Sequence, residues 1–142
     1  VTIICPKHGD FYKHAGTHIG KQRPGGCYFC KTSRGEIIVK KILNKNKINF
    51  TYQKTFPGMK YINELECDFY LKDFNTVIEY NGEQHYKSND FFGGINGFIE
   101  QQKRDKIKYE YLEKMKIKLI IVKYNISEND VESYILNKLN SK

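Results

Sequence analysis

The sequence lacks a long hydrophobic segment: no apolar run approaches the roughly 20 residues that a membrane-spanning helix needs. It also lacks the pattern of a secretory signal peptide, and it contains no internal repeat. We therefore expect an intracellular protein with no membrane partner. A chain of 142 residues is long enough for one hydrophobic core, or for a core plus a small satellite module.

Acidic residues are the scarcer charged class. The chain has 16 Asp and Glu against 24 Lys and Arg, a formal net charge of +8 at pH 7. This balance favours a polyanionic partner, and the interleaving of basic residues with Tyr and Phe makes nucleic acid the best candidate. A solvated, lysine-rich surface explains the same charge equally well. An apolar content of 39% argues against a disordered chain.

Cysteines are few, and their distribution argues against a disulfide framework. Three of the four lie within the first thirty residues, close to histidines, whereas Cys67 stands alone within a predicted strand. This distribution suits metal binding in a reducing compartment. Cys67 is most simply a small core residue.

Residues 1–32 contain two pairs of metal-ligating side chains with matching spacing. The pairs are Cys5-x-x-His8 and Cys27-x-x-Cys30. A segment this short and glycine-rich buries little core of its own, and a tetrahedral Zn²⁺ held by three thiolates and an imidazole would supply the missing folding free energy. His18 is the alternative imidazole ligand. The arrangement resembles a treble-clef zinc module, and its basic residues suit a phosphate backbone.

Two strand-like runs, Leu65–Leu71 and Thr76–Asn81, flank a short polar turn and predict an antiparallel hairpin. If the turn is centred immediately after Asp73, Asp68 lies directly across from Glu79. Opposed side chains have Cβ atoms about 4.5–5.5 Å apart, so the two like charges repel unless a cation lies between them or one carboxyl is protonated. A hard divalent ion with oxygen ligands is the simplest resolution.

A capping box, Ser33-x-x-Glu36, begins the first helix, which continues at helical spacing to Lys45. Glu36 projects near the edge of the apolar stripe of this helix. Closing the cap is a sufficient explanation of Glu36. A position at the rim of the acidic site, as a further metal or water contact, is an equally weighted alternative.

The remaining segments predict further strands and helices. They are a strand from Phe50 that stops at Pro57-Gly58, a long functional loop over residues 82–97, a helix from Phe98 to Met115, a central strand within Lys118–Tyr124 and a last helix capped by Ser127. The strand, helix and strand in the second half predict a parallel crossover. The chain is therefore expected to be an α+β protein.

The order of these elements resembles the PD-(D/E)XK nuclease superfamily, most closely the very-short-patch-repair-like and homing endonucleases. The resemblance rests on Glu36 in the first helix, Asp68 on the second strand, and Ile78-Glu79-Tyr80-Asn81-Gly82-x-x-His85 at the end of the third. It covers residues 33–142 and implies a restriction-endonuclease-like αβββαβ core with a mixed sheet. It also implies a DNA endonuclease that depends on Mg²⁺ or Mn²⁺.

The resemblance implies specific roles for these side chains. Asp68 and Glu79, helped by the carbonyl of Tyr80, are the expected ligands of the catalytic metal. His85 is the expected general acid or base, because histidine titrates near neutral pH. A structural hydrogen bond is the alternative role for His85. Gln84 is expected to orient water or phosphate.

One departure from the pattern of the superfamily affects the proposed chemistry. The lysine that usually stands two residues after the Glu is replaced by Asn81. Lys108 on the following helix is the expected substitute, with Lys106 a weaker choice, unless a histidine takes over the task. The departure keeps a rival function open, a non-catalytic zinc-dependent nucleic-acid-binding domain with a degenerate site. An RNA-directed nuclease is a further alternative.

Overall fold

The computed structural model describes the backbone of two short amino-terminal segments and, in full, residues 33–88 and 93–141. The chain divides into two compact units, Val1–Ile37 and Ile38–Lys142. The first unit contains an antiparallel pair, β1 (Thr2–Cys5) and β2 (Gly9–Tyr12). The predicted zinc ligands His8, Cys27 and Cys30, the alternative His18 and the side chain of Cys5 lie outside the described residues. The zinc module and its boundary at residue 32 therefore stay predictions.

The later part of the chain is α+β, with a four-stranded mixed sheet and three helices among the described residues. The elements are α1 (Arg34–Lys45), β3 (Thr51–Lys60), β4 (Glu64–Leu71), β5 (Thr76–Asn81), α2 (Gly94–Lys114), β6 (Lys118–Lys123) and α3 (Glu128–Asn140). The strand order is β3-β4-β5-β6; the first three strands are antiparallel, and β6 runs parallel to β5. The α+β class and the parallel crossover are confirmed. No described helix is long and apolar enough to cross a membrane.

The sheet separates two apolar clusters. One cluster joins buried residues of α1 and α3 to Phe69 and Ile78. The other joins Leu112 of α2 to Cys67 and Val77. Because Val77 and Ile78 are consecutive in β5, their side chains point to opposite faces of the sheet. The two clusters therefore lie on opposite faces, and α2 covers the face that carries Cys67.

The predicted hairpin register is confirmed at the turn. Phe69 pairs with Ile78 and Leu71 with Thr76, as expected for a turn centred immediately after Asp73. The turn itself is a short 3₁₀ helix, Lys72–Phe74, followed by Asn75 in the left-handed region at φ 45°, a conformation that asparagine tolerates better than most residues.

In β4, the alternation of side chains between the two faces of the sheet is interrupted at Asp68. All four apolar residues of β4 are buried, but Leu65 and Cys67 belong to one cluster and Phe69 and Leu71 to the other. An unbroken strand would place all four on one face. The neighbouring strand shows a matching irregularity, because Gln53, which lies between the residues paired with Cys67 and Phe69, has φ 53°. The strand therefore changes face at Asp68.

Three sequence predictions about the later elements are wrong. Strand β3 continues through Pro57-Gly58 to Lys60, with a register shift and Gly58 at φ 85°. Its edge position tolerates a residue without a backbone N–H. The β6 run lies at the other edge, not in the centre of the sheet. Helix α2 begins at Gly94, inside the predicted loop.

Candidate active site

Asp68 and Glu79 lie where the β4–β5 ladder ends. Each carboxylate accepts a hydrogen bond from the backbone of the other strand. Glu79 Oε1 accepts from the Asp68 amide at 3.3 Å, and Asp68 Oδ2 accepts from the Tyr80 amide at 2.8 Å. Side chains thus take the place of backbone ladder partners, and the strands are held together around two convergent carboxylates.

Glu79 is a buried carboxylate with a lysine partner on α2. It is only 4% exposed, and Lys108 Nζ lies 3.4 Å from each of its carboxylate oxygens. Burial raises the pKa of Glu79, although the attraction and hydrogen bonds of Lys108 partly oppose this shift. Burial opposes the charge of Lys108, but Glu79 and Asp68 outweigh that cost and raise the pKa of its ammonium.

The lysine changes the electrostatic argument for a metal. The opposed acids predict either a cation between them or one protonated carboxyl, and a divalent ion is the simplest of these resolutions. The ammonium of Lys108 is such a cation, and it neutralises part of the charge of Glu79 and Asp68. Like-charge repulsion between Asp68 and Glu79 is therefore no longer an argument for a metal ion by itself.

Cys67 lies beside this pair and is fully buried. Burial first, and the negative charge of Glu79 second, raise the pKa of its thiol to about 12. The thiol therefore stays protonated and hydrogen-bonds to the Glu79 carboxylate. This contact agrees with a core role for Cys67, and it leaves Lys108 as the only charged group that hydrogen-bonds to Glu79 in the described part of the chain.

A histidine–aspartate pair forms the second part of the site. His85 Nδ1 lies 2.8 Å from Asp105 Oδ2, and both side chains are largely buried. Gln101 Nε2 donates to Asp105 Oδ1 at 2.9 Å, and Gln102 Nε2 donates to the His85 carbonyl at 2.6 Å. A carboxylate accepts hydrogen bonds, so the pairing with Asp105 favours the tautomer in which His85 Nδ1 donates, and it leaves Nε2 outside this contact.

Asp105 is a site residue that sequence reasoning missed. The signal was present, because Asp105 stands three residues before Lys108 and residues at this spacing share a helix face. Asp105 lies within a strongly basic stretch, and such a stretch is typical of a solvated helix surface. The structure instead buries it to 7% exposure against His85.

A cavity of about 310 Å³ joins the two parts of the site; we call it the carboxylate cavity. It is lined by Glu64, Leu65, Glu66, Asp68, Glu79, Tyr80, His85, Gln101, Arg104 and Lys108. Five of the predicted site residues therefore line one cavity: Asp68, Glu79, Tyr80, His85 and Lys108. These residues are up to forty positions apart in the sequence. The sheet, α2 and the short 3₁₀ helix that carries His85 bring them together.

Glu36, Gln84 and Lys106 are not among the residues that line this cavity. Glu36 closes the predicted capping box: its carboxylate accepts from the Ser33 amide at 2.9 Å, and its amide donates to Ser33 Oγ at 3.1 Å. Its role at a metal stays a prediction. Gln84 lines a separate cavity of about 160 Å³. Lys106 is exposed and lies 3.9 Å from Glu110, so it does not replace the missing lysine.

The oxygen donors of the carboxylate cavity fit one kind of metal site. No group of three or more His, Cys, Asp or Glu side chains within the described residues is arranged to hold a metal ion. Mg²⁺ does not need such a group, since it keeps several waters and is bound by one or two carboxylates together with substrate phosphates. Asp68 and Glu79, with Tyr80 beside them, fit that requirement, and Mn²⁺ has the same preference for oxygen ligands.

Three viral proteins resemble this chain. It is 41% identical over 73 residues to the uncharacterized protein 094L of Frog virus 3 (isolate Goorha), an alignment covering 50% of this chain and 46% of the relative. It is 30% identical over 116 residues to the uncharacterized protein 033L of Invertebrate iridescent virus 3, covering 75% and 57%. It is 33% identical over 97 residues to the uncharacterized protein 307L of Invertebrate iridescent virus 6, covering 68% and 48%.

The chain thus spans about half the length of the curated relatives it matches. No family model matches it. The names of these relatives state no activity, and they therefore indicate no function for this chain.

Proposed function

We propose that this protein is a divalent-metal-dependent endonuclease that hydrolyses phosphodiester bonds in DNA. The single observation that carries the proposal is the carboxylate cavity, which gathers Asp68, Glu79, Lys108 and His85 around one space. The positive net charge of the chain supports a polyanionic substrate. The order of strands and helices agrees with a restriction-endonuclease-like core, and membership of the PD-(D/E)XK superfamily is part of the same proposal.

The side chains divide the chemical tasks between them. Asp68 and Glu79 would hold Mg²⁺ or Mn²⁺, which supplies Lewis acidity and lowers the pKa of bound water. Lys108 neutralises charge on the phosphate oxygens from its position beside Glu79. It thereby takes the place of the lysine that Asn81 displaces in the sequence pattern.

His85 moves the proton in this proposal. Asp105 fixes the orientation and tautomer of the imidazole, so that Nε2 is available to accept a proton from water or, once protonated, to give it to the leaving oxygen. Asp105 and Gln101 act through His85 and are positioning residues. Residues 1–32 add a zinc module that grips the phosphate backbone, and this part of the proposal depends on sequence alone.

The proposal is tested by incubating the chain with supercoiled and linear DNA in the presence of Mg²⁺. We expect cleavage that chelator abolishes and that added Mg²⁺ or Mn²⁺ restores. Single-stranded RNA is the comparison substrate, because no described contact identifies a 2′-hydroxyl. DNA binding without cleavage under all these conditions would contradict the proposal.

His85 offers a further prediction within the proposed mechanism. His85→Gln should lower kcat by about 10²–10⁴-fold, the usual contribution of a general acid or base, while leaving KM nearly unchanged. Asp105→Asn should have the same direction and a smaller effect, because it disturbs only the orientation of the ring. Glu83→Gln is the control, since Glu83 is exposed in the same short helix. A rise in KM with unchanged kcat in His85→Gln would refute the role.

A second candidate function is supported by the engagement of Glu79. The residue is nearly inaccessible and already paired with Lys108, an arrangement that also suits a structural ion pair in a nucleic-acid-binding domain without catalysis. In that case Asp68 and Glu79 variants would change stability alone. The cleavage assay separates the two functions directly.

A further inference from the structure

A second cavity lies on the other side of His85. It has a volume of about 500 Å³, and its lining residues are Asn81, His85, Tyr86, Gln102, Asp105, Lys106, Tyr109, Glu110, Glu113, Ile121 and Lys123; we call it the tyrosine pocket. Its size falls within the usual range for sites that hold a small organic group. His85 belongs to both cavities, so a group bound here would be adjacent to the proposed cleavage site.

The pocket carries accessible aromatic surface and a cation. Tyr86 lines the pocket and is 38% exposed. Its ring centroid lies 5.9 Å from that of Tyr124, an exposed neighbour that is not among the lining residues. Lys123 Nζ lies 5.4 Å from the centroid of the Tyr86 ring. Exposed aromatic rings accompanied by a basic side chain are the usual means by which proteins stack unpaired bases, and they do so for every base because each has a π-face.

One lining residue, Asn81, has a side-chain amide with an unused hydrogen-bond acceptor. Asn81 is 3% exposed, and its Nδ2 donates to Tyr109 Oη at 3.0 Å. Its Oδ1 is buried and has no hydrogen-bond donor among the described residues. A buried acceptor without a donor is costly, so the amide gains a hydrogen bond if its Oδ1 turns toward a ligand with N–H groups in the pocket. Nucleobases with exocyclic amino groups provide such donors.

The charges on the pocket wall favour a base over a phosphate. Glu110 and Glu113 line the pocket with Asp105, opposite only two lysines. An anionic group inserted here would meet three carboxylates, whereas an uncharged ring would not. The part of a nucleotide that enters the pocket is therefore its base.

We infer that the tyrosine pocket binds a single unstacked nucleobase of the nucleic-acid substrate, next to the phosphate at His85. The inference rests on the proposed function for the identity of the polymer. Its specific content is that the substrate strand is locally unpaired, with one base stacked on Tyr86 and read at Asn81. A site built this way favours a strand that is already single, because its bases cost least to unstack.

Photochemical crosslinking tests the inference without requiring cleavage. The full chain, without added divalent metal, is mixed with a 20-mer whose thymines are replaced by 5-iodouracil, supplied as a single strand and as a duplex. After irradiation, mass spectrometry locates the crosslinked residues. We expect crosslinks at Tyr86, with the single strand giving the higher yield. Crosslinks confined to residues outside the tyrosine pocket would overturn the inference.

Binding measurements provide the second arm. Tyr86→Leu should weaken the affinity for the single strand by about tenfold or more, whereas Tyr86→Phe, which keeps the ring, should bind nearly as the wild type does. Lys123→Gln should weaken binding more than Lys138→Gln, a matched control because Lys138 lies over Tyr134 in a similar geometry outside the pocket. Equal losses in the last two variants would contradict a stacking site.

The two proposals fail in different ways. If cleavage depends on Mg²⁺ but no crosslink forms at Tyr86, the nuclease stands and the base pocket is wrong. If Tyr86 crosslinks but no cleavage occurs under any condition, the pocket belongs to a binding protein instead.

Discussion

Replacing Asp68 by asparagine is expected to lower Mg²⁺-dependent cleavage by about 10²–10³-fold, the scale on which loss of one preorganised electrostatic group reduces kcat. Asparagine has nearly the same shape as aspartate, and its amide oxygen can still accept the hydrogen bond from the Tyr80 amide. The change therefore removes the charge that would hold the metal and leaves the strands together. Binding to DNA should stay nearly unchanged, because phosphate contacts elsewhere supply the affinity.

The control for this experiment lies on the same hairpin. Asp73→Asn makes the same chemical change in the exposed turn, and cleavage should be unaffected. Cleavage by both variants is measured on supercoiled plasmid over a range of Mg²⁺ concentrations, and unfolding is followed by circular dichroism. An Asp68→Asn variant that folds, binds DNA and cleaves at the wild-type rate would exclude the carboxylate cavity as the active site.

The sequence predicted the positions of the acids because hairpin pairing is a local property. A turn of defined length sets the register, and that register is observed at Phe69 and Leu71. The sequence did not predict the change of face at Asp68. The change of face coincides with Gln53 at φ 53° on the neighbouring strand. Glutamine has no special preference for positive φ, so the sequence contains no signal of this irregularity.

The contacts made through α2 were the hardest to predict. The sequence indicates Lys108 as the substitute for the missing lysine only because it lies on the following helix. The structure places its ammonium beside Glu79. The sequence does not predict Asp105 as a site residue, although it lies on the same helix. A charged helical stretch looks like a solvated surface until the packing partner is known. Tertiary packing decides which charges of such a helix are buried, and composition does not contain that information.

The ion pair between Glu79 and Lys108 leads to the largest expected change in stability. Lys108→Met should lower the free energy of unfolding at pH 7 by about 3–5 kcal/mol, because it leaves an uncompensated buried carboxylate. The double variant Glu79→Gln/Lys108→Met should recover most of this loss, since removing both charges of a buried pair is often nearly neutral. Urea denaturation measures both effects. Lys106→Met is the matched control, because Lys106 is an exposed lysine on the same helix.

The way the free energy of unfolding of Lys108→Met depends on pH distinguishes loss of the ion pair with Glu79 from simple loss of packing. Burial raises the pKa of Glu79 above its ordinary value of 4.5, so the folded chain binds this proton more tightly than the unfolded chain does. Stability from this group is greatest below pH 4.5 and falls as the pH rises through the folded pKa. Removing Lys108 takes away an attraction that lowers this pKa. The deficit of Lys108→Met should therefore shrink as the pH is lowered from 7 toward 4.5, and this dependence on pH should be absent in the double variant, which has no carboxyl at residue 79. A deficit that is the same at pH 5 and pH 7 would show that Lys108 stabilises the fold through its aliphatic chain and not through Glu79.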